Sequence, residues 1–237
     1  MHTVHVTSAA TCRGSATRAV DNCAPAAYAR SRLSLSAAPV PVYSLPGDND
    51  WPTCPDPAAG WALYRLATTR QNTTAAEYHV KRQPRRDENF AFLYRRVLFV
   101  GLHVVANSAD AEETRSRLED NVAWVSENIA AYGDRADVVF VMGYGRLLAA
   151  ENAPFYEALR AMQSMPGWDD KLLVYARRAG ASSLEKDVGG LRNFVELRVG
   201  NEWPIMDVRV RTATNAVGVG GATTTRVDYR DAFVEED

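Results

Sequence analysis

The sequence lacks both a long apolar run and an excess of charge of one sign. No stretch approaches the roughly 20 consecutive apolar residues of a membrane-spanning helix, so we expect no membrane span. The formal net charge is only −2, and basic residues do not alternate with aromatic residues along one face. We therefore expect no nucleic acid partner, and the basic run at residues 81–86 is typical of a solvated loop.

Cysteine is also scarce, and the chain contains only Cys12, Cys23 and Cys54. The odd number and the lack of a C-x-x-C pair argue against structural zinc. Cys23 and Cys54 flank one predicted strand and could form a disulfide in an oxidising compartment; alternatively, all three are reduced thiols. The amino terminus shows no charged segment followed by an apolar core, so no signal peptide is predicted. The compartment is left open.

Signals for a serine nucleophile or a phosphate-binding loop are missing too. The sequence has no G-x-S-x-G motif. The glycine-rich run at residues 218–221 is not followed by a predicted helix, so it is a weak candidate for a phosphate loop.

The apolar residues that are present alternate between strand-like and helix-like spacing. The predicted strands are residues 2–7, 41–45, 92–105, 138–142, 172–175, 194–199 and 205–211, and the predicted helices are residues 17–36, 57–69, 110–131 and 153–163. Residues 70–90 are polar and aperiodic, which predicts a long surface loop. A polar turn at residues 107–110 should supply the N-cap of the third helix.

This order of elements predicts an α/β fold with a layered, mixed β-sheet core flanked by helices. The last two predicted strands alternate in polarity, which indicates a C-terminal antiparallel hairpin. We expect one domain over residues 1–212. Residues 213–237 are rich in glycine and threonine and then acidic, which predicts a flexible tail.

The candidate site is the hexapeptide P-G-D-N-D-W at residues 46–51, directly after a predicted strand. Glycine permits a sharp turn, and Asp48, Asn49 and Asp50 together offer about five side-chain oxygens. In open α/β sheets, ligands bind at the carboxyl ends of strands. The alternative is an ordinary turn closed by an aspartate side chain.

This hexapeptide resembles the third signature of the calcineurin-like metallophosphoesterase superfamily, in the divergent branch that has P-G-D-N-[D/E]-W followed by cysteine. Further similar positions, in the same order, are R-Q at residues 82–83, E-N at residues 88–89, the strand that contains His103, and R-x-x-x-N-x-x-W at Arg117, Asn121 and Trp124. The resemblance covers about residues 3–211. It implies the calcineurin-like fold and hydrolysis of phosphate esters by two divalent metal ions, drawn from Mn, Fe, Zn or Mg.

Most of the metal ligands that the resemblance implies are absent. The strand of the first signature has no counterpart, so we expect that the chain begins part-way into the fold. Ser8 stands where the second signature has its bridging aspartate, and the fourth signature reads V-M-G-Y at residues 141–144. The fifth, Y-x-H-G-D-x-H in the family, reads Y-A-R-R-A-G at residues 175–180, without either histidine.

Few candidate site residues are left. They are Asp48, Asn49 and Asp50 as metal ligands, Asn49 and His103 as catalytic residues, and Arg177 and Arg178 as anion contacts. One loop with two carboxylates can hold Ca²⁺ or Mg²⁺ weakly but does not organise a two-metal centre. A histidine within an apolar strand is more often a hydrogen-bonded core residue than a ligand.

Three functional hypotheses follow. The first is a non-catalytic binding or structural subunit without a cofactor, with a protein partner or a larger assembly. The second is an active metal-dependent phosphoesterase, which requires ligands from other positions to converge on Asp48; the candidates are His5, Asp87, Glu88, His103 and Asn107. The third is an anion sensor in which Arg177 and Arg178 bind phosphate directly.

Overall fold

A computed structural model describes residues 3–5, 23–37, 42–68, 79–105, 110–165, 168, 171–180, 183–186, 188–199, 206–214 and 223–231. In this part of the chain, a mixed seven-stranded sheet is flanked by four helices, and three further strands form a second sheet. The α/β class predicted from the sequence is confirmed. No helix among the described residues has the length and apolar character that crossing a membrane requires.

The strands and helices are numbered in chain order. The strands are β1 (Thr3–His5), β2 (Lys81–Arg82), β3 (Phe90–Tyr94), β4 (Val97–Gly101), β5 (Val138–Met142), β6 (Leu172–Arg178), β7 (Ser183–Lys186), β8 (Phe194–Val199), β9 (Met206–Thr214) and β10 (Thr223–Asp231). The helices are α1 (Pro25–Ser36), α2 (Pro57–Thr68), α3 (Ala111–Tyr132) and α4 (Ala153–Met162). The predicted strand at 138–142 and the predicted helices α2, α3 and α4 are confirmed to within one or two residues.

The larger sheet has the order β2-β3-β4-β5-β6-β8-β7. Strands β4, β5, β6 and β8 are parallel, and the strands at both edges are antiparallel to their neighbours. Parallel strands that are covered on both faces are apolar throughout, which explains the V-V-F-V-M and V-L-F-V runs of β5 and β4. The carboxyl ends of these strands lie at one edge of the sheet.

Alternate side chains of each central strand form two separate apolar clusters. Leu98, Val100, Val139 and Val141 point to the face that contacts α3 and α4, where Leu118, Val125, Phe155 and Leu159 complete the cluster. Val97, Phe99, Val138, Phe140 and Val174 form the cluster on the other face. The strict period of two thus fixes which side chains reach each face.

Helix α3 follows the sequence prediction closely. Asp110 is its N-cap, and one carboxylate oxygen accepts hydrogen bonds from the backbone N–H of Glu112 and Glu113, each over 3.0 Å. Leu118 and Val125 are buried on the face that the periodicity predicted, with Val122 and Ile129 partly buried beside them.

The predicted central strand at residues 92–105 is wrong, because it is two antiparallel strands, β3 and β4. Arg95 and Arg96 form the turn between them with φ of 47° and 66°. Two residues with positive φ give the turn that matches the twist of a hairpin. That turn usually contains asparagine or glycine, so the arginine pair gave no signal for it.

The predicted C-terminal hairpin of residues 194–199 and 205–211 is also wrong. Strand β8 lies in the larger sheet beside β6, where it is almost entirely buried. Strand β9 pairs instead with β1 and β10 in the second sheet. Residues 223–231 form β10, while the domain limit at residue 212 and the flexible tail after it stay predictions.

The predicted strand at residues 41–45 is not one in the structure, since residues 42–47 pair with no strand among the described residues. The packing of the Tyr43 side chain explains the apolar pattern of this segment. The Tyr43 ring packs against Phe90 and Phe92, with ring centroids 5.0 and 5.6 Å apart. The segment is therefore attached to β3 through side chains rather than through a backbone ladder.

Candidate functional site

The hexapeptide lies in a loop at residues 46–54, called the Trp51 loop below. Within it, one carboxylate oxygen of Asp50 accepts a hydrogen bond from the Gly47 backbone N–H over 2.7 Å, and the Asp50 N–H donates to the Gly47 carbonyl over 3.1 Å. Asp50 is 7 % exposed. Its carboxylate therefore closes the turn, which is the alternative role that the sequence left open.

The Trp51 loop is attached to α1 at two points. Cys54 forms a disulfide with Cys23, two residues before the helix, with 5.7 Å between the Cα atoms. The Tyr28 hydroxyl, on the first turn of α1, donates to the Asp50 carbonyl. Of the two alternatives for these cysteines, the structure contains the disulfide. Cys12 lies outside the described residues.

The Trp51 loop also touches the carboxyl ends of the parallel strands. A Cβ atom on Gly47 would lie 2.8 Å from the ring of Tyr144, which follows β5, so this close approach requires glycine. Burial raises the pKa of the Tyr175 hydroxyl on β6; the positive charge of Arg177 opposes this shift, and the negative charges of Glu196 and Asp48 add to it. Asp48 follows Gly47 in this loop and is half-buried, while Asn49 is exposed.

His103 follows β4 at the same edge and is fully buried. The Trp51 indole Nε1–H donates to its Nε2 atom over 3.0 Å, and its Nδ1 atom lies 2.8 Å from Oε1 of Glu88. An indole N–H is only a donor, so Nε2 must accept and Nδ1 must carry the proton that it donates to Glu88. Burial lowers the pKa of His103, which agrees with this neutral form.

Two further aromatic rings enclose the imidazole. Trp61 of α2 stacks on His103 with ring centroids 5.2 Å apart and an angle of 13° between the rings. Tyr64 stacks on Trp61 at 5.3 Å and 11°. Trp51 meets the edges of both Trp61 and His103 at 5.6 Å. The α1–α2 layer thus contacts the sheet edge through this aromatic cluster.

A buried polar network surrounds the backbone of His103. Asn89 Oδ1 accepts from the His103 N–H over 2.6 Å, while Asn89 Nδ2 donates to Gln83 over 2.7 Å and to Asn121 over 2.8 Å. Asn121 Nδ2 in turn donates to the His103 carbonyl over 2.9 Å. The prediction of a surface loop is therefore wrong for residues 83, 88 and 89, since their side chains are buried.

Charged side chains of α3 complete this network. Arg117 is fully buried, donates from Nε to Glu113 over 3.1 Å and reaches the His103 carbonyl at 3.4 Å. Burial lowers the pKa of this guanidinium. Arg86 pairs with both Asp120 at 2.8 Å and Glu113 at 3.3 Å. Four of the motif residues, Glu88, Asn89, Arg117 and Asn121, thus contact His103 directly, and Gln83 reaches it through Asn89.

The two candidate anion contacts stand on β6. Arg177 donates from Nε to Glu196 of β8 over 2.7 Å, and its side chain is 9 % exposed. Arg198 contacts the other oxygen of the same carboxylate at 2.9 Å. Arg177 is therefore engaged by an internal carboxylate, while the side chain of Arg178 lies outside the described part of the structure. Glu196 was missed from the sequence, although a glutamate inside the apolar run F-V-E-L was a signal for a buried ion pair.

Among the residues that the structure describes, the side chains do not fit a two-metal centre. Within the described ranges, no group of three or more histidine, cysteine, aspartate or glutamate side chains is arranged to hold a metal ion. The Asp50 carboxylate accepts a hydrogen bond from Gly47, and both ring nitrogens of His103 are engaged in hydrogen bonds. Asp87 forms an ion pair with Arg65 at 2.7 Å. Of the other proposed ligands, the side chain of His5 and all of Asn107 lie outside the described residues.

The fold and this geometry define an α/β protein with a mixed sheet. At the carboxyl ends of its parallel strands, a loop held by a disulfide packs against a buried histidine. No protein-family model, curated protein or solved structure gave a significant match to the chain.

Proposed function

We propose that this chain is a calcineurin-like phosphoesterase-fold protein of the P-G-D-N-D-W branch with a dismantled two-metal site, and that it acts as a non-catalytic binding or structural subunit. The observation that carries the proposal is the state of His103. Trp51 donates a hydrogen bond to the lone pair of Nε2, and Nδ1 donates a hydrogen bond to Glu88. A metal ion could bind this imidazole only if Trp51 moved away.

The Trp51 loop supports the same conclusion. A two-metal centre needs several carboxylates and imidazoles that converge from different strands. Here the Asp50 carboxylate holds the turn by accepting from Gly47, and at the end of β6 the resemblance predicts histidines where Arg177 pairs with Glu196. The positions that should supply ligands instead form internal contacts that fix the loop and the strands.

The contacts among the motif residues support the family assignment itself. The sequence motifs that carry the resemblance are separated by up to about 75 residues, yet Trp51, Asn89 and Asn121 all contact His103 directly or through one another. Residues that match a family pattern by chance have no reason to share one buried network. The shared network bears on ancestry and fold, not on catalysis.

A binding role is supported by apolar side chains on the helices next to the site. Leu33 of α1 is 67 % exposed and Leu66 of α2 is 62 % exposed. Exposed leucines on two neighbouring helices suit a protein partner better than a small polar substrate. We therefore expect the partner to be a protein or a larger assembly.

Two measurements test the proposal on the full chain. Elemental analysis of the purified protein should find no stoichiometric Mn, Fe, Zn or Mg. Hydrolysis of p-nitrophenyl phosphate with added Mn²⁺ or Mg²⁺ should stay at the background rate. The matched control is Asp48→Asn, because the active alternative requires Asp48 as a ligand. Bound metal together with hydrolysis that Asp48→Asn abolishes would overturn the proposal and establish a metal-dependent phosphoesterase.

A further inference from the structure

We propose that the Cys23–Cys54 disulfide is a redox latch, and that its reduction releases the Trp51 loop and exposes the imidazole of His103. Such a latch controls access to this buried histidine. It holds whether or not the chain is catalytic, since it rests only on the contacts of the Trp51 loop, α1 and His103.

The first step is the position of the disulfide relative to Trp51. Cys54 follows Trp51 by three residues, and its backbone N–H donates to the Trp51 carbonyl over 3.1 Å. The two residues therefore belong to one tight turn. Because the disulfide fixes this turn to the start of α1, it also fixes the indole that donates to His103 at 3.0 Å.

The second step is the separation of the α1–α2 layer from the main core. This layer has its own small apolar cluster of Tyr28, Tyr64 and Ala67, with Trp61 and Leu63 packed against it. None of these residues belongs to the two clusters of the seven-stranded sheet. The layer packs on the sheet edge through the stack of Trp61 on His103, and a unit with its own small cluster can open locally without global unfolding.

The third step is the chemistry of opening. Cys23 is half-buried whereas Cys54 is only 6 % exposed, so a dithiol reductant attacks the sulfur of Cys23. The S–S bond breaks, Cys54 leaves as a thiolate and takes up a proton, and a mixed disulfide forms at Cys23. The second thiol of the reductant displaces Cys23. Two electrons pass to the protein, which gains two thiols, and the reductant becomes a disulfide.

The consequence falls on Nε2 of His103. Once the disulfide is broken, the Trp51 loop keeps the hydrogen bond from the Tyr28 hydroxyl to the Asp50 carbonyl but has lost its covalent attachment to the start of α1. The Trp51 indole can then leave, and the Nε2 lone pair becomes available to solvent. Glu88 stays within hydrogen-bonding distance of Nδ1 because it belongs to the loop before β3 and not to the Trp51 loop. The exposed group is thus an imidazole that a carboxylate still orients.

Carbethoxylation of histidine by diethyl pyrocarbonate, mapped by peptide mass spectrometry, tests the latch. The full chain is labelled in its oxidised form, and after dithiothreitol treatment, alkylation of the thiols and removal of the reductant. We expect His103 to be protected when oxidised and labelled at least about tenfold faster when reduced, because the lost cross-link closes a loop of some 30 residues. His79, which is exposed, should be labelled equally in both samples.

A Cys23→Ser/Cys54→Ser variant repeats the test without reductant or alkylation, and far-UV circular dichroism monitors the sheet in every sample. Fast labelling of His103 with the circular dichroism spectrum unchanged supports the latch. Protection of His103 after confirmed reduction would overturn it. Loss of the whole spectrum on reduction would overturn it as well, since the disulfide would then hold the entire fold. Metal content and phosphatase rate, which test the proposed function, play no part in these readouts.

Discussion

The indole Nε1 of Trp51 donates a hydrogen bond to Nε2 of His103 over 3.0 Å, and this contact joins the loop that carries the sequence signature to the sheet edge. It also decides the tautomer of the histidine, because an indole can only donate. A residue that the sequence suggests as a candidate catalytic group is thereby held as a neutral acceptor in the interior.

Replacement of Trp51 by phenylalanine tests how much this hydrogen bond contributes to the free energy of unfolding. Trp51→Phe keeps an aromatic ring but leaves the buried Nε2 atom without its donor, so we expect a loss of about 1–3 kcal/mol in the free energy of unfolding. Urea denaturation measures it. Trp61→Phe is the matched control, since Trp61 is also half-buried and contacts the same imidazole by stacking alone. Equal losses in the two variants would contradict the prediction.

Close packing at the end of β4 gives a second prediction. A Cβ atom on Gly101 would overlap the ring of Phe90 on the neighbouring strand, and that ring is held against Tyr43. We expect Gly101→Ala to destabilise the protein by about 2 kcal/mol or more, because a buried ring between two strands has little room to shift.

Thermal denaturation of Gly101→Ala beside Gly180→Ala provides the comparison. Gly180 has no heavy atom within 4 Å of the corresponding Cβ position, so Gly180→Ala should leave stability unchanged or raise it slightly by restricting the unfolded chain. If both glycines tolerated alanine, the packing of β3 on β4 described above would be incorrect.

The elements of the fold differ in how well the sequence predicts them. Helix α3 could be predicted because its N-cap, length and apolar stripe are all local properties of the chain. The turn at Arg95 and Arg96 could not, since its positive φ angles are imposed by the pairing of β3 with β4 and not by residues that prefer them. The division of the last strands between two sheets was missed for a similar reason, because alternation does not specify a partner strand.

The sequence predicted which residues form the candidate site, but not that their side chains are buried and contact one another. The hexapeptide and the R-Q, E-N and Arg117–Asn121 positions were identified from the resemblance, yet the polarity of residues 81–89 predicted a surface loop. The structure buries Gln83, Glu88 and Asn89 because each finds hydrogen-bond partners on α3 or at His103. A sequence shows that a side chain is polar; it does not show that a distant partner will satisfy it.

The carboxylate of Glu196 leads to a third prediction. It is 4 % exposed and receives Arg177 on one oxygen and Arg198 on the other. Glu196→Gln removes the charge of the carboxylate that the largely buried Arg177 guanidinium contacts at 2.7 Å, so we expect a loss of roughly 3 kcal/mol in the free energy of unfolding.

Glu185→Gln serves as the control for that ion pair. Glu185 also contacts Arg198, at 2.5 Å, but its side chain is 42 % exposed, so its removal should reduce stability by less than about 1 kcal/mol. Urea denaturation of both variants gives the comparison. A Glu196→Gln variant as stable as Glu185→Gln would show that the buried pair does not hold β6 to β8.

The burial of His103 beside Glu88 makes stability depend on pH in two separate ranges. Burial is the largest influence on His103 and lowers its pKa below the ordinary 6.5, with the negative charges of Glu88 and Glu113 opposing this and the positive charge of Arg117 reinforcing it. Burial alone would raise the pKa of Glu88, but the hydrogen bond from His103, with the positive charge of Arg86, lowers it below 4.5.

The signs give the fourth prediction. Below about pH 6.5 the unfolded chain protonates His103 while the folded chain does not. The stabilisation that arises from the lowered pKa of His103 is therefore complete above that pH, and it is lost as the pH falls toward the lower pKa of the folded state. The contribution of Glu88 is lost only below about pH 4.5. Between about pH 7 and pH 5 the urea midpoint of the wild type should therefore fall, and in His103→Gln it should fall less, because glutamine can bond to Trp51 and Glu88 without titrating. His79→Gln, which replaces an exposed imidazole, should keep the slope of the wild type; an equal slope in all three proteins would mean that the folded chain protonates His103 as readily as the unfolded one.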